Sequence, residues 1–488
     1  MRHMRISNKI AGNKKISLAQ LLWVPAAIPL LVVLCSFILG GWSWGLMDDY
    51  GLMMITGNVW ERSLSLFKNL FAWGVFRPAH SLHVGIFYGV FAHHPDWFYV
   101  FRWFEVVAAL AVWGWLAVLV TRRNLALPLV IGISLCFFKF YDGFFFLSTQ
   151  EITGLFLAGC TGGCFFKAFA PVILRQARVA WRPAIWGGIW LLLAFGTKET
   201  YLSVGLIWGL VLLGAGLTRP HARSLWIPGL ILVVTSLAYG VFLKLMVVAD
   251  YSSRYSFSNI GQIGANIFLW VRHDLLAHAP WIIIAALLMI LKRPASPADL
   301  FRRWGIWLAL GFYASYTLIL LPWDTTGSYS TPLGVLFAFL ITVLIAERLE
   351  TVRVDAFVAV VLAALVLNML VGGAALKAAS SYQQDTASLL KWLATNTQFE
   401  YEVNQNGAVV RTNAMEPGGA IPGLVKLFYG TSYGEFIFTP QVKEILADVR
   451  TRYYLYGPNW GDQDLSRLGK MWYPVFVSKN WIMFRRLY

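Results

Sequence analysis

The sequence predicts an all-α polytopic membrane protein of about eleven transmembrane helices, ending in a small extracytoplasmic α/β domain. Three observations predict it. Of the 488 residues, 58% are hydrophobic and only 13% charged, against about 25% charged in soluble domains. Long apolar runs recur through residues 1–377, separated by short segments rich in arginine. Beyond that point the character changes, and 378–488 reads as chain that folds in water. The 23 tryptophans suit rings that sit in headgroup belts. The net charge of +16 does not point to nucleic acid, because the basic residues are scattered between apolar runs, where they face anionic lipid.

Runs long enough to cross a bilayer fall near 19–42, 101–120, 125–141, 152–173, 184–197, 201–217, 226–248, 279–292, 305–322, 331–346 and 356–377. The basic N-terminus followed by an apolar run looks like a secretory signal. Residues 18–42 are too long for one and lack a small-residue cleavage site, so the first span is expected to stay.

An odd number of spans puts the termini on opposite sides, and the basic residues give the direction. With the N-terminus inside, the inner segments are 1–18, 121–124, 174–183, 218–225, 293–304 and 347–355. Every one is basic, from Arg2, Arg5, Lys9, Lys14 and Lys15 to Arg348 and Arg353. The outer loops carry only Arg62, Lys68, Arg77, Lys198, Arg254 and Arg272. The expected location is therefore a bacterial cytoplasmic (inner) membrane, with the N-terminus cytoplasmic and the C-terminus extracytoplasmic. In the outer loop 43–100, SLSLFKNLFAWGVF is amphipathic and should lie in the interface plane. The domain 378–488 contains the helix-like TASLLKWLA and the strand-like GAVVRTN, RYYLYG, YPVFVSK and WIMFRRL, separated by PGG and GPNWGD turns.

Several chemistries are excluded by what is missing. No phosphate-binding loop is present, since GTKET at 196–200 lacks the upstream glycine, and there is no nucleophile elbow or HExxH helix. The cysteines Cys35, Cys136, Cys160 and Cys164 all lie in apolar runs, and CTGGC reads as small-residue helix packing rather than a metal pair. His80, His83, His93 and His94 form a candidate metal cluster, although each also reads as a segment edge.

The polar groups at span ends form a better pattern. Asp48 and Asp49 follow the first span, and Arg77 sits in FRPAHSL. Asp142, Gln150 and Glu151 flank the third and fourth spans, and Lys198 and Glu199 end the fifth. All are predicted at the outer face. Ionisable groups at membrane depth are costly and so mark functional sites. A lysine suits a phosphate as a point charge, and an acid suits an acceptor hydroxyl as proton acceptor.

With these residues in place, the chain resembles the C-type (GT-C) glycosyltransferase superfamily, multi-span enzymes that use polyprenyl-phosphate sugars. The order Asp48, Asp49, Tyr50, Asn58, Arg77 and Pro78 resembles the protein O-mannosyltransferase-like branch. HHPDWFYVFRWFEVV and the Lys198–Glu199 pair match the family's next loop and its lysine–glutamate motif, so the resemblance covers roughly 19–220. Asp49 stands where those enzymes carry glutamate, which leaves the acceptor class open. The resemblance implies transfer of a sugar from a polyprenyl-phosphate donor to an extracytoplasmic glycan, lipid or protein acceptor, with inversion. Asp48 or Asp49 would be the general base, with Asp48 the one that aligns. Lys198, Arg77 and Arg254 would hold the donor phosphate, and Tyr50, His83, Asp142, Glu151 and Glu199 would bind substrate or support the site. Mg or Mn at Asp49 and Asp142 is an optional cofactor. A lipid-linked-saccharide transporter, an anchored scaffold protein and an O-antigen polymerase or ligase are the alternatives.

Overall fold

The computed structural model describes residues 18–39, 42, 57–72, 75–91, 94–145, 150–174, 178–246, 260–276, 278–291, 304–321, 331–349, 354–413, 420–422, 424–426, 429–434, 436–439, 441–457 and 465–487. Each predicted span overlaps a helix, and the helices are α1 (Leu18–Leu39), α2 (Val59–Ala72), α3 (Pro78–Phe91), α4 (Pro95–Thr121), α5 (Ala126–Ser134), α6 (Asp142–Phe145), α7 (Glu151–Ile173), α8 (Trp181–Thr197), α9 (Leu202–Thr218), α10 (Trp226–Met246), α11 (Ile260–Trp270), α12 (Ala279–Leu291), α13 (Trp304–Leu320), α14 (Thr331–Leu349) and α15 (Val354–Thr395). Two of these helices, α2 and α3, belong to the first predicted outer loop.

The helices are less uniform than eleven equal spans. Among the described residues, five stretches are long and apolar enough to cross a membrane: Leu22–Leu39, Asp96–Thr121, Glu151–Ile173, Glu199–Thr218 and Pro220–Leu245. The third predicted span is broken, with Ala126–Ser134 and Phe138–Phe145 meeting at 92°. The break comes at Phe137, whose extended backbone separates α5 from a single 3-10 turn at Phe138–Tyr141. Taken together, that bent pair would make a sixth span. Gly305–Leu320 and Thr331–Ala346 are apolar but shorter. The boundary expected at 377/378 also changes character, because α15 runs through it as one helix of 42 residues.

Close packing of small residues sets the spacing of the bundle, as expected where apolar burial gives little net drive between helices. In CTGGC, a Cβ at Gly163 would lie 1.9 Å from the Trp115 ring, and one at Gly162 would lie 2.7 Å from Leu116. Those two positions let α7 press directly onto α4, as the small-residue reading requires. The buried rings Trp113 and Phe339 then meet edge-on at 5.3 Å between α4 and α14. Helix α2 buries Ser63 and Leu66 and exposes Trp60, Leu64 and Phe71, the division expected of a helix lying in the interface plane.

The C-terminal domain holds a five-stranded mixed sheet of β1 (Val409–Thr412), β2 (Ile437–Phe438), β3 (Thr451–Tyr456), β4 (Trp472–Val477) and β5 (Ile482–Arg486). The strand order is β2-β1-β3-β5-β4. The pairs β1–β2 and β1–β3 are parallel, and β3–β5 and β4–β5 antiparallel. All four strand-like runs read from the sequence are strands. The two-residue edge strand β2 had no readable pattern. Arg411 ties the sheet to its loops, donating to Thr451 Oγ1 (2.9 Å), Thr439 Oγ1 (2.7 Å) and Asp448 Oδ2 (2.8 Å). That guanidinium holds the Asp448 carboxyl down at about 2.

Candidate active site

Helix ends bring the polar groups together. Pro78 opens α3 and biases the preceding residue away from helical geometry, so Arg77 becomes its cap: the Arg77 carbonyl accepts from the Ser81 N–H and Oγ–H, each at 3.0 Å. Helix α8 ends at Thr197, and Lys198 is extended (φ −159°, ψ 135°) before the 3-10 turn Glu199–Tyr201. An extended residue followed by a helical turn sends neighbouring side chains in different directions. Lys198 therefore reaches Glu151 in the first turn of α7. Glu199 takes the Arg77 guanidinium in a two-point pair, with Nε to Oε2 at 2.9 Å and Nη2 to Oε1 at 2.7 Å.

The result is two crossed ion pairs from three chain segments, at the end of the bundle where α7 and α9 start and α8 stops. The Lys198 and Glu151 side chains are 0% and 1% exposed. Glu151 Oε2 is buried without a hydrogen-bond partner. Tyr201 packs against the start of the same helix, its hydroxyl donating to the Glu151 carbonyl at 2.5 Å. Gly154 makes this possible, since a Cβ there would lie 2.0 Å from the Tyr201 ring.

A second charged group adjoins the first. His83 Nε2 lies 2.7 Å from Glu105 Oε1, and Arg102 Nη1 donates to Glu105 Oε2 at 3.0 Å. Arg102 Nε also donates to the Gly143 carbonyl at 2.9 Å, fixing α6. Thr153 Oγ1 adds a donor to Glu105 Oε1 at 3.3 Å. His80 joins the two groups: it lies on α3 between Arg77 and His83, with Nε2 3.3 Å from the Gln150 side-chain nitrogen. Burial, reinforced by Arg77, His83, Arg102 and Lys198, pushes its imidazole well below the ordinary value. Burial and these neighbouring cations favour the neutral ring at His80.

Of the residues named from sequence, Arg77, Glu151, Lys198 and Glu199 come together, with His83 one group away. Asp142 is half-buried at the start of α6, beside Gly143. Asp48, Asp49, Tyr50 and Arg254 lie outside the described residues. Lys198 is paired with Glu151. His80 and His83 engage Gln150 and Glu105, and His93 lies outside the described residues. Among the described residues, no three His, Cys, Asp or Glu side chains come together to hold a metal ion.

Arg102, Glu105 and Tyr201 are site residues the sequence reading missed. A signal for the first two existed: an arginine and a glutamate three apart in an otherwise apolar helix share one face and must be paired. Tyr201 had none, since its role depends on a glycine 47 positions earlier.

No protein-family model matches the chain, and no curated protein matches it. Among solved structures, that of ArnT from Cupriavidus metallidurans bound to undecaprenyl phosphate is similar, at 12% identity and a TM-score of 0.47 over 96% of this chain and 98% of that one. The same protein in the apo state is similar at 11% identity and a TM-score of 0.48, over 95% and 97%.

Proposed function

We propose that this chain is an integral membrane glycosyltransferase that moves a sugar from a polyprenyl-phosphate donor to an acceptor hydroxyl outside the membrane. The observation that carries it is the pair of crossed ion pairs, Lys198–Glu151 and Arg77–Glu199, at one end of an apolar bundle. Desolvating four charges there is expensive, and the expense is explained if the cations meet a phosphate at the membrane surface. Arg77 offers the planar fork that fits phosphate oxygens, and Lys198 a compact charge.

The reaction is a direct displacement. The acceptor oxygen attacks the anomeric carbon, the bond from that carbon to the phosphate oxygen breaks, and the lipid phosphate leaves with the electron pair. Asp48 takes the hydroxyl proton. Arg77 and Lys198 bind the phosphate and stabilise the charge that grows on it. Glu151 and Glu199 hold those cations in place before the donor arrives. The order of motifs favours the protein O-mannosyltransferase-like branch. Asp49 and Asp142 would hold a divalent cation, which would supply positive charge to the leaving phosphate.

Turnover tests this reading. The purified chain in lipid nanodiscs should convert a polyprenyl-phosphate hexose or pentose into free polyprenyl phosphate when envelope glycans, lipids or proteins are supplied. Movement of intact lipid-linked saccharide between leaflets, without cleavage, would make it a transporter instead.

The proposed orientation follows from the arginine bias and has its own test. In a cysteine-free background, a cysteine at the exposed Gly407 of the C-terminal domain should react with a membrane-impermeant maleimide added from outside. One beside Arg302 should not. Protection of the first and labelling of the second would put the site on the cytoplasmic face.

A further inference from the structure

We propose that Gln383 is a positioning residue through which the C-terminal domain fixes Arg102 and the short helix α6 at the candidate site. The domain is clasped to α15. Asp385 Oδ2 accepts from the Asn480 backbone N–H (3.1 Å) and side-chain amide (2.6 Å). Trp481, fully buried, donates its indole N–H to Thr386 Oγ1 at 3.2 Å and packs against Tyr382 with ring centroids 6.1 Å apart.

These groups surround one turn of helix, and Gln383 lies on that same turn. Its amide donates to the Tyr99 hydroxyl at 3.2 Å, with both residues buried. Tyr99 lies in a box of Phe37, Trp42 and Phe145, its ring 5.1 Å from each of the first two. Its hydroxyl stands 3.5 Å from the Phe145 carbonyl. Three residues along α4, Arg102 donates to the Gly143 carbonyl.

One face of α4 therefore holds α6 at Gly143 and at Phe145, and the Gly143 contact belongs to the arginine that orients Glu105. A helix of four residues has too few internal hydrogen bonds to hold itself, so its position depends on those outside contacts. Because α15 is unbroken from membrane to domain, a displacement of the sheet at Asn480 and Trp481 is transmitted to Tyr99.

This inference rests on assigning Arg102 and Asp142 to the site, yet the coupling can be read without any donor. The measurement is hydrogen–deuterium exchange of the full chain in nanodiscs, comparing peptides over 138–145 with peptides over 202–246. Gln383→Leu and Tyr99→Phe should each raise exchange in 138–145 about tenfold or more, leaving 202–246 unchanged. Asn480→Ala, at the domain side of the clasp, should do the same. Gln383→Glu, whose carboxylate accepts the Tyr99 hydroxyl proton and so draws it from the Phe145 carbonyl, should raise exchange in 138–145 as Gln383→Leu does, and the Gln383→Leu/Tyr99→Phe double should be no worse than either single. Unchanged exchange in 138–145 with Tyr99→Phe, or a rise spread equally over 202–246, would overturn the proposal. Sugar transfer failing in every form while exchange responds as stated would overturn only the enzymatic reading.

Discussion

Lys198→Met is expected to yield a protein that unfolds more easily and does not turn over a lipid-phosphate donor. The ammonium and the Glu151 carboxylate are both out of water. Removing one member strands the other, which typically costs about 3–5 kcal/mol. Glu151→Leu should cost a similar amount, because Lys198 then loses its partner. The Lys198→Met/Glu151→Leu double replaces the pair by apolar groups, a change that is often neutral or stabilising. Thermal unfolding in detergent should thus show two weakened singles and a largely recovered double. Transfer should not recover: losing a preorganised charge at the leaving group is worth roughly 10²–10³-fold in rate. A double variant with near-normal transfer would make the pair purely structural and remove Lys198 from the site.

The second large effect falls on the paired acids before α2. Asp48→Asn keeps the shape and removes the basicity, and loss of a general base typically lowers the rate by about 10²–10⁴-fold. Asp49→Asn should have the smaller effect, since Asp48 is the acid that aligns with the catalytic one in the resemblance. A normal Asp48→Asn enzyme beside a dead Asp49→Asn enzyme would exchange their roles. Activity in both would remove the base from this segment.

Lys198 and Arg77 show how far the sequence reaches. The lysine at the end of a short apolar run is legible because a charge there has few cheap solutions. So is Arg77, because Pro78 fixes the start of a helix. The partner of Lys198 is not legible. Sequence proximity favours Glu199, but the extended backbone at Lys198 directs the two side chains apart. Pairing across 47 residues depends on how α7 packs against α8, which no local pattern encodes. The broken third span is similar: apart from Ser134 and Lys139 its residues are apolar or aromatic, and Phe137, where it breaks, stacks on His278 from a distant part of the chain. In the C-terminal domain the opposite holds. Runs rich in β-branched and aromatic residues mark β1, β3, β4 and β5, whereas β2 has only two residues. The continuity of α15 was hidden by composition, since a helix that leaves the bilayer turns polar without ending.

The most direct test of the central claim is a cryo-EM density map of the chain in nanodiscs with a polyprenyl phosphate bound. The account predicts phosphate density beside Lys198 and Arg77, within charge-assisted hydrogen-bond distance, about 3 Å, of at least one of them. The lipid tail should leave between helices toward the bilayer. Phosphate density at the opposite end of the bundle, near Arg219, or lipid with no phosphate beside either cation, would contradict it.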